Sequence, residues 1–232
     1  MMLFGGLQKT TLVDYPGKVA ATVFTVGCNF HCPYCHNPEL VLPELIKKQP
    51  KITEKEILDF LKERQKLLEG ICITGGEPAI QPDLIDFVKK VKDLGFLIKI
   101  DTNGSCPDVL NNLIEGKLID YAAMDIKAPK EKYEIFSEDE EIIEKIDKSI
   151  ELLKQNKIDY EFRTTLVSDI LDEQDILAIV DWIKFASHYY LQRFQKSKVL
   201  DERFKNAKPW SEQRTNQLLK KIKPYFSECN IR

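Results

Sequence analysis

Three cysteines fall close together in the stretch TVGCNFHCPYCHNPEL, with the spacing C-x3-C-x2-C. Cys28, Cys32 and Cys35 are near enough in sequence to ligate one metal centre. A zinc ion would need a fourth ligand, for which His31 and His36 are at hand. A [4Fe–4S] cluster could instead use three thiolates and keep one iron open for a substrate or cofactor.

The rest of the chain favours the cluster over zinc. Structural zinc sites usually draw their ligands from two paired loops, and the sequence contains no second cysteine pair. The other three cysteines, Cys72, Cys106 and Cys229, are scattered, which is typical of buried thiols rather than of a disulfide framework. A zinc-stabilised binding module stays open as an alternative.

An alternation of strands and helices must position these residues. Apolar β-branched runs predict strands, and amphipathic runs bounded by capping residues predict helices. Thr53 and Glu56 predict a capping box at the start of one helix, and we expect Gly70 to cap its end. The expected strands are VAATVFTV, ICIT, FLIKI, DYAAMDI, DYEFRTTLV and, as the last, HYYLQRF. The expected helices are TEKEILDFLKERQKLLEG, PDLIDFVKKVKDLG, PDVLNNLIEGK, EEIIEKIDKSIELLKQN, DEQDILAIVDWIKFA and SEQRTNQLLKKIKPYF.

About six strand–helix units imply a parallel α/β sheet. Six units are too few to close an eight-stranded barrel, so we predict a partial (β/α)6 TIM-like barrel in preference to a doubly wound sheet, a choice that periodicity alone does not settle. The stretch from Leu7 to Lys18 is expected to add a hairpin. The 232 residues suit a single domain, with a core at about 18–195 and a helical C-terminal extension at 196–232.

Polar motifs follow the predicted strands. TGGEP follows the second strand, DTNG ends the third and MDIK ends the fourth, while Arg163 lies within the fifth. Because the carboxyl ends of parallel strands meet at one edge, these motifs and the cysteine loop are expected to share a rim.

Each motif also has a structural interpretation. The glycines of GGEP let a ligand approach the backbone, or form a plain turn. Asp101 and Asp125 could hold a cation or pair with Lys127, whereas Asp101 or Asn103 could simply cap a helix. The guanidinium of Arg163 could bind a ligand carboxylate or a buried acidic side chain of a neighbouring strand.

Composition excludes several classes of protein. Hydrophobic residues make up 43% and charged residues 31%, which is ordinary for a globular chain. The net charge of −3 gives no footprint for nucleic acid. No apolar run approaches the length of a membrane span, and the first residues do not resemble a signal peptide. We therefore expect a cytoplasmic protein.

Taken together, the motifs resemble a known family. The cysteine loop, with aromatic Tyr34 before its last cysteine, and GGEP are similar to those of radical S-adenosylmethionine enzymes. CPYCHNPE, DTNG and DIK resemble the glycyl-radical-enzyme activases. The opening GLQKTTLVDYPGKVAATVFTVGCNFHCPYCHNPEL looks like the anaerobic ribonucleoside-triphosphate reductase activating proteins, and the resemblance spans about residues 6–194.

This resemblance implies cofactors and contacts. The three cysteines would ligate a [4Fe–4S] cluster, and its open iron would be chelated by the amino and carboxylate groups of S-adenosylmethionine. Gly75, Gly76 and Glu77 would hold the methionine amino group, while Tyr34 and His36 would lie along the adenosine. The remaining positions that would line the cofactor pocket, in some members with a monovalent cation, are Asp101, Asp125, Lys127 and Arg163.

The resemblance also implies a reaction and partners. One electron from the cluster would break a carbon–sulfur bond of S-adenosylmethionine, and the resulting radical would take a hydrogen atom from a glycine of a partner enzyme. The expected partners are anaerobic ribonucleotide reductase and a flavodoxin or ferredoxin electron donor. On the sixth strand, Gln192 or Arg193 is expected to contact the adenine. The enzyme alternatives are a pyruvate formate-lyase activase and a small-molecule enzyme like 7-carboxy-7-deazaguanine synthase.

Overall fold

The computed structural model describes residues 2–196 and 198–232 of the chain. Within these residues, nine strands form one sheet. The strands are Leu3–Thr11 (β1), Ala20–Thr25 (β2), Ile52–Thr53 (β3), Gly70–Gly75 (β4), Leu97–Thr102 (β5), Tyr121–Asp125 (β6), Asp159–Leu166 (β7), His188–Arg193 (β8) and Glu228–Ile231 (β9).

Seven α-helices connect or flank the strands in the described part of the chain. They are Pro43–Ile46 (α1), Glu54–Arg64 (α2), Leu84–Asp93 (α3), Pro107–Glu115 (α4), Ile142–Lys154 (α5), Glu173–Ile183 (α6) and Glu212–Ile222 (α7). The predicted capping box of α2 is confirmed, because Thr53 and Glu56 each accept from the other's backbone N–H.

The sheet has the order β3-β1-β2-β4-β5-β6-β7-β8-β9. All pairs from β2 to β9 are parallel, whereas β1 runs antiparallel to both β2 and β3. The two ends of the order, β3 and β9, do not pair with each other, so the sheet stays open. This is the partial barrel that the strand–helix alternation predicts.

The two faces of β5 show how the sheet is enclosed. Ile98 and Ile100 are buried in the main core together with helix side chains such as Phe87 of α3. Lys99 points to the opposite face and is nevertheless only 2% exposed. A loop after β1 helps to close this inner face, since its Tyr15 ring lies 6.0 Å from the ring of Tyr121. The inner face of the sheet therefore combines a small apolar cluster with buried polar side chains.

Two expectations near the start of the chain have different outcomes. The predicted hairpin is confirmed by the antiparallel pair β1–β2, although β1 begins earlier than expected, at Leu3. The prediction that Gly70 caps a helix is wrong, because α2 ends at Arg64 and Gly70 is the first residue of β4. A Cβ atom at Gly70 would come within 2.8 Å of the carbonyl oxygen of Leu97, so glycine allows two strands to approach there.

The end of the chain also differs from expectation. HYYLQRF was expected to be the last strand and the segment after residue 195 to be helical. That segment contains α7 but also β9, which pairs in parallel with β8. The assignment of the core to residues 18–195 stays a prediction, but β1 and β9 lie outside those bounds and both pair with core strands.

A partly exposed arginine that follows β9 pairs with a buried carboxylate, and this ion pair generates a prediction. Glu161 is fully buried and accepts hydrogen bonds from the hydroxyl of Tyr121 and from Nη1 of Arg232, both at 2.8 Å. We expect Arg232→Leu to lower the free energy of unfolding by about 2 kcal/mol, because a buried carboxylate loses its counter-charge. Urea denaturation would measure the change. The matched control is Arg193→Leu at an exposed position of β8, and an equal loss in both variants would contradict the assignment.

Candidate functional site

The predicted motifs meet at the carboxyl end of the sheet. Thr25 at the end of β2 pairs with Gly75 at the end of β4, which brings the cysteine loop beside GGEP. One cavity of about 480 Å³ lies there, a volume in the range of about 300–1,000 Å³ for small-molecule sites. Its walls include every site residue that the sequence predicts: Cys28, Cys32, Tyr34, Cys35, His36, Gly75, Gly76, Glu77, Asp101, Asp125, Lys127 and Arg163.

Backbone contacts fix the cysteine loop against GGEP. The N–H of Gly76 donates to the carbonyl of Thr25 at 2.9 Å, and the N–H of Glu77 donates to the carbonyl of Gly27 at 2.8 Å. A Cβ atom on Gly76 would lie 1.9 Å from that Gly27 oxygen. Gly75 has a φ of +113°, which side chains other than glycine's rarely adopt. Both glycines are therefore needed for the main chains to approach each other.

The Glu77 side chain lines the cavity and also joins two of the site turns. Its carboxylate is 1% exposed and accepts from the hydroxyl of Thr102 at 2.8 Å and from the backbone N–H groups of Asn103 and Ala79 at 2.7 and 3.0 Å. These contacts join the GGEP turn to the DTNG turn. Burial raises the pKa of Glu77 to about 7, despite the hydrogen bonds that favour the carboxylate.

Asn103 extends this connection to the cysteine loop. Its amide donates to Oδ1 of Asn29 at 2.9 Å, and the Asn29 amide donates to the hydroxyl of Ser105 at 2.8 Å. Neither Asp101 nor Asn103 caps a helix: α4 begins after Cys106, and no side-chain hydrogen bond caps it. The capping interpretation of DTNG is therefore wrong, and the turn instead ties two site loops together.

A row of charged side chains crosses the inner face of β5, β6 and β7. Arg163 donates from Nε to Asp125 at 2.8 Å and from Nη1 to Asp101 at 3.3 Å. Lys127 donates to the other oxygen of Asp125 at 2.7 Å, and Lys99 contacts the other oxygen of Asp101. Each of the four carboxylate oxygens thus faces a protein cation.

These pairs set the charge state of the row. Burial would raise the pKa of Asp125, but Arg163 and Lys127 outweigh it and hold that pKa well below its ordinary value. Burial likewise opposes ionisation of Asp101, and Arg163 and Lys99 lower its pKa. Of the interpretations left open by the sequence, pairing between Asp125 and Lys127 and burial of Arg163 among acidic side chains are both observed.

The three cysteine thiols line the cavity and are partly or fully buried. Burial raises the pKa of Cys28 to about 12 and that of Cys32 to about 11, and it raises the pKa of Cys35 as well. As free thiols they are protonated at neutral pH, so metal ligation must release protons.

The histidines do not complete a zinc site. His31 is exposed and does not line the cavity, and Nδ1 of His36 lies 3.0 Å from the carbonyl oxygen of Lys198. Among the described residues, no group of three or more His, Cys, Asp or Glu side chains is arranged to hold a single metal ion. Three thiols on the wall of a large cavity suit a cluster, which is wider than one ion.

An aromatic wall lies beside the thiols, formed by Tyr34 and His36 on either side of Cys35. The ring of His36 stacks on Phe194 at 5.8 Å, and Tyr34 meets Phe136 and Phe194 edge to face at 6.0 and 6.5 Å. The Tyr34 hydroxyl is buried and has no hydrogen-bond partner within the described part of the protein. A molecule bound in the cavity can supply that partner, so the wall fits a planar polar ligand.

Sequence reasoning missed one buried cation. Lys99 lies within the apolar run FLIKI, where nothing identifies it as a site residue except its position two residues before Asp101, on the same face of β5. On the sixth parallel strand Gln192 lines the cavity, whereas Arg193 is exposed and does not. Cys72 is buried with its sulfur 3.7 Å from Lys99 Nζ, and Cys106 lies outside the cavity wall.

Comparison with known proteins agrees with this geometry. The sequence profile of the Radical SAM superfamily matches residues 22–184. The chain belongs to the Radical SAM superfamily. A Methanocaldococcus jannaschii protein, provisionally named a glycyl-radical enzyme activating enzyme, is 39% identical over 238 residues, covering 99% of this chain and 95% of that protein. The pyruvate formate-lyase-activating enzyme of Clostridium pasteurianum is 36% identical over 108 residues, covering 42% of each.

A solved structure shows the same fold. QueE from Escherichia coli superposes with a TM-score of 0.58 at 14% identity, covering 100% of this chain and 93% of that one. The superfamily uses a [4Fe–4S] cluster and S-adenosylmethionine, so this radical SAM enzyme uses both cofactors. The three cavity thiols, with no fourth thiol beside them on the wall, fit the cluster, and the cations Lys127 and Arg163 suit a ligand that carries a carboxylate.

No helix in the described residues is long and apolar enough to cross a membrane.

The contact between GGEP and the cysteine loop predicts a loss of metal in Gly76→Ala. The added methyl group would collide with the Gly27 carbonyl and push the loop away, so we expect the variant to retain little of the iron and sulfide that the wild type binds. Iron and sulfide analysis after anaerobic reconstitution would measure this. Gly6→Ala is the matched control, because Gly6, like Gly76, lacks a positive φ, and the nearest atom to a Cβ there would be in the Phe24 side chain at 3.3 Å. Normal cluster content in Gly76→Ala would contradict the steric argument.

The raised pKa of Glu77 predicts a pH dependence of stability. Between pH 4.5 and about 7 the unfolded chain has released the Glu77 proton while the folded chain still holds it, so stability falls as the pH rises through this window. We expect the wild type to lose roughly 2–3 kcal/mol relative to Glu77→Gln from pH 5 to pH 8. Denaturation of the metal-free proteins at several pH values measures the difference. If the free energy of unfolding changed equally with pH in the two proteins, Glu77 would not titrate between pH 5 and pH 8.

Proposed function

We propose that this radical SAM enzyme generates a glycyl radical on a partner enzyme, and that the partner is anaerobic ribonucleoside-triphosphate reductase. The observation that carries the proposal is the 39% identity, along nearly the whole chain, to a protein provisionally named a glycyl-radical enzyme activating enzyme. The choice of reductase rests on the opening residues, from GLQKTTLVDYPG to the cysteine loop. Cytoplasmic location, where such a partner would be met, is part of the proposal.

The proposed roles follow the walls of the cavity. Cys28, Cys32 and Cys35 would ligate three irons of the cluster and leave the fourth to the amino and carboxylate groups of S-adenosylmethionine. When bound, the reduced cluster and S-adenosylmethionine supply a radical able to remove a hydrogen atom from carbon. The protein's part is to orient the cofactors and to keep water and other hydrogen donors away from them.

Charge and backbone would orient S-adenosylmethionine. The backbone of Gly75 and Gly76 offers polar groups for the methionine ammonium, and the Glu77 carboxylate, which accepts three hydrogen bonds, keeps one acceptor position on Oε2 for it. Lys127 and Arg163 would face its carboxylate.

The adenosine would lie along the aromatic wall. The unpaired hydroxyl of Tyr34 and the ring of His36 offer a hydrogen-bond donor and a stacking surface. Gln192 is the candidate contact from β8.

Asp101 and Asp125 would then contribute by positioning the cations that they pair with. Their carboxylates hold Arg163 between them, and Asp125 also holds Lys127. Because Lys99 and Arg163 already balance Asp101, a monovalent cation is not needed to neutralise it. The open edge of the sheet would admit the glycine-bearing loop of the partner.

Electron paramagnetic resonance tests the proposal. The anaerobically reconstituted protein is incubated with S-adenosylmethionine, a reductant and, separately, anaerobic ribonucleotide reductase and pyruvate formate-lyase. We expect a glycyl doublet with the reductase. We expect Cys32→Ala to give no doublet and no brown colour, while Cys106→Ala, altered outside the cavity, keeps both.

Other outcomes would point to the alternatives. A doublet only with pyruvate formate-lyase would replace the proposed partner. Cleavage of S-adenosylmethionine without a doublet on any candidate would favour a small-molecule enzyme such as a 7-carboxy-7-deazaguanine synthase. Zinc in place of iron and sulfide would favour a metal-stabilised binding module.

A further inference from the structure

A segment near the end of the chain lies against the outer side of the cysteine loop. We call residues 193–208 the basic segment. The N–H of Asp201 donates to the carbonyl of Pro33 at 2.8 Å, and the carbonyl of Lys198 lies 3.0 Å from Nδ1 of His36. These contacts reach both sides of Cys35, so the segment forms the protein surface beside the proposed cluster ligands.

The basic segment differs in charge from the chain as a whole. It contains six cations against two anions, a net charge of +4, whereas the whole chain has a net charge of −3. Glu39 of the cysteine loop pairs with Lys198 at 3.1 Å. This carboxylate lowers the excess positive charge of the segment by only one. All six cations are exposed: Arg193, Lys196, Lys198, Arg203, Lys205 and Lys208.

The ion pairs of the segment leave its charges available to a partner. Arg203 pairs with Asp201 at 2.6 Å, yet its side chain is 86% exposed. Lys205 contacts Glu202 with half of its side chain exposed. Exposed pairs of this kind contribute little to stability, so folding gives no strong reason for this concentration of cations.

The basic segment is separate from the superfamily core. The match to the superfamily profile ends at residue 184, before the segment begins. Its cations do not line the cavity, so they have no direct part in binding S-adenosylmethionine.

We infer that the basic segment is the docking surface for an acidic, one-electron carrier protein that reduces the cluster. The inference rests on the proposed function, because it places the cluster at Cys28, Cys32 and Cys35. One electron leaves the carrier, which is oxidised, and reduces the cluster; no bond breaks and no proton moves. A carrier seated on the segment would lie against the cysteine loop and outside the cavity.

Charge is suited to this kind of encounter. Complexes of redox proteins are small and short-lived, and opposite charges raise their association rates by about 10- to 1,000-fold at low salt. Ions screen such attraction, with a Debye length of about 8 Å at physiological ionic strength. A surface of exposed lysines and arginines suits a partner that must leave after each transfer.

The test compares two triple variants with equal net charge. Lys196→Gln/Lys205→Gln/Lys208→Gln removes three cations of the basic segment. Lys62→Gln/Lys66→Gln/Lys89→Gln removes three exposed cations near α2 and α3. Each reconstituted protein is mixed with reduced, acidic ferredoxin without S-adenosylmethionine or a glycyl-radical enzyme. Bleaching of the cluster's visible absorbance gives the rate of reduction.

At low ionic strength we expect the first triple variant to be reduced about tenfold more slowly than the wild type, and the second within about twofold of it. High salt should remove the difference. Photoreduced deazariboflavin, an uncharged reductant, should reduce all three proteins at one rate. Equal slowing in both triple variants, no slowing in either, or slowing with deazariboflavin would overturn the inference.

A second measurement separates this inference from the proposed function. With deazariboflavin as electron source, the first triple variant should form the glycyl radical as well as the wild type does. Loss of the radical there would assign the segment to the glycyl-radical enzyme and overturn the carrier assignment. Because cluster reduction is measured without that enzyme, failure of the proposed activation leaves the ferredoxin result intact.

Discussion

The guanidinium of Arg163 lies between two carboxylates inside the barrel, and the arrangement of the site depends on it. Asp101 and Asp125 project from neighbouring strands onto one inner face, where their charges would repel each other in a poorly solvated space. Arg163 from the next strand contacts both, and Lys99 and Lys127 complete the neutralisation at either end. The interior can therefore be polar, enclosed and rigid at once, which a binding surface for a charged cofactor requires.

The loops above this row hold one another, and α5 contributes a hydrogen bond from the Ser149 hydroxyl to the carbonyl of Gly104 at 2.7 Å. The cysteine loop contacts GGEP through backbone hydrogen bonds, and GGEP contacts DTNG through the Glu77 carboxylate. DTNG in turn contacts the cysteine loop through the hydrogen bond between Asn103 and Asn29. Each of the three turns around the cavity therefore contacts the other two. A displacement of any one of them would be transmitted to the other two.

The sequence was sufficient to predict which residues meet but not all that they do. Cysteine spacing, strand–helix alternation and the rule that parallel strands end at one edge placed the cysteine loop, TGGEP, DTNG, MDIK and Arg163 on one rim. The resemblance to radical S-adenosylmethionine enzymes assigned Tyr34 and His36 to the same site, and all these elements line one cavity. The hydrogen-bond partners of Glu77 in DTNG could not be predicted from the sequence, because these contacts join turns that are distant along the chain. Lys99 was missed because a lysine in an apolar strand is usually assumed to reach solvent, and only closure of the sheet buries it. The four residues of β9 are too few to show any periodicity.

An open barrel leaves unpaired backbone N–H and C=O groups at the two edges of its sheet. In other proteins such groups can pair with the edge of another chain. Here the outermost strands are the shortest: β3 has two residues and β9 has four. Neither offers a long template on which another chain could add a strand. The two sides nevertheless differ, because β3 pairs only with Leu3 and Phe4 and leaves the rest of that edge of the nine-residue β1 without a neighbouring strand in the described part of the chain. Short outer strands therefore limit edge-to-edge association at β9 more than they do beside β1.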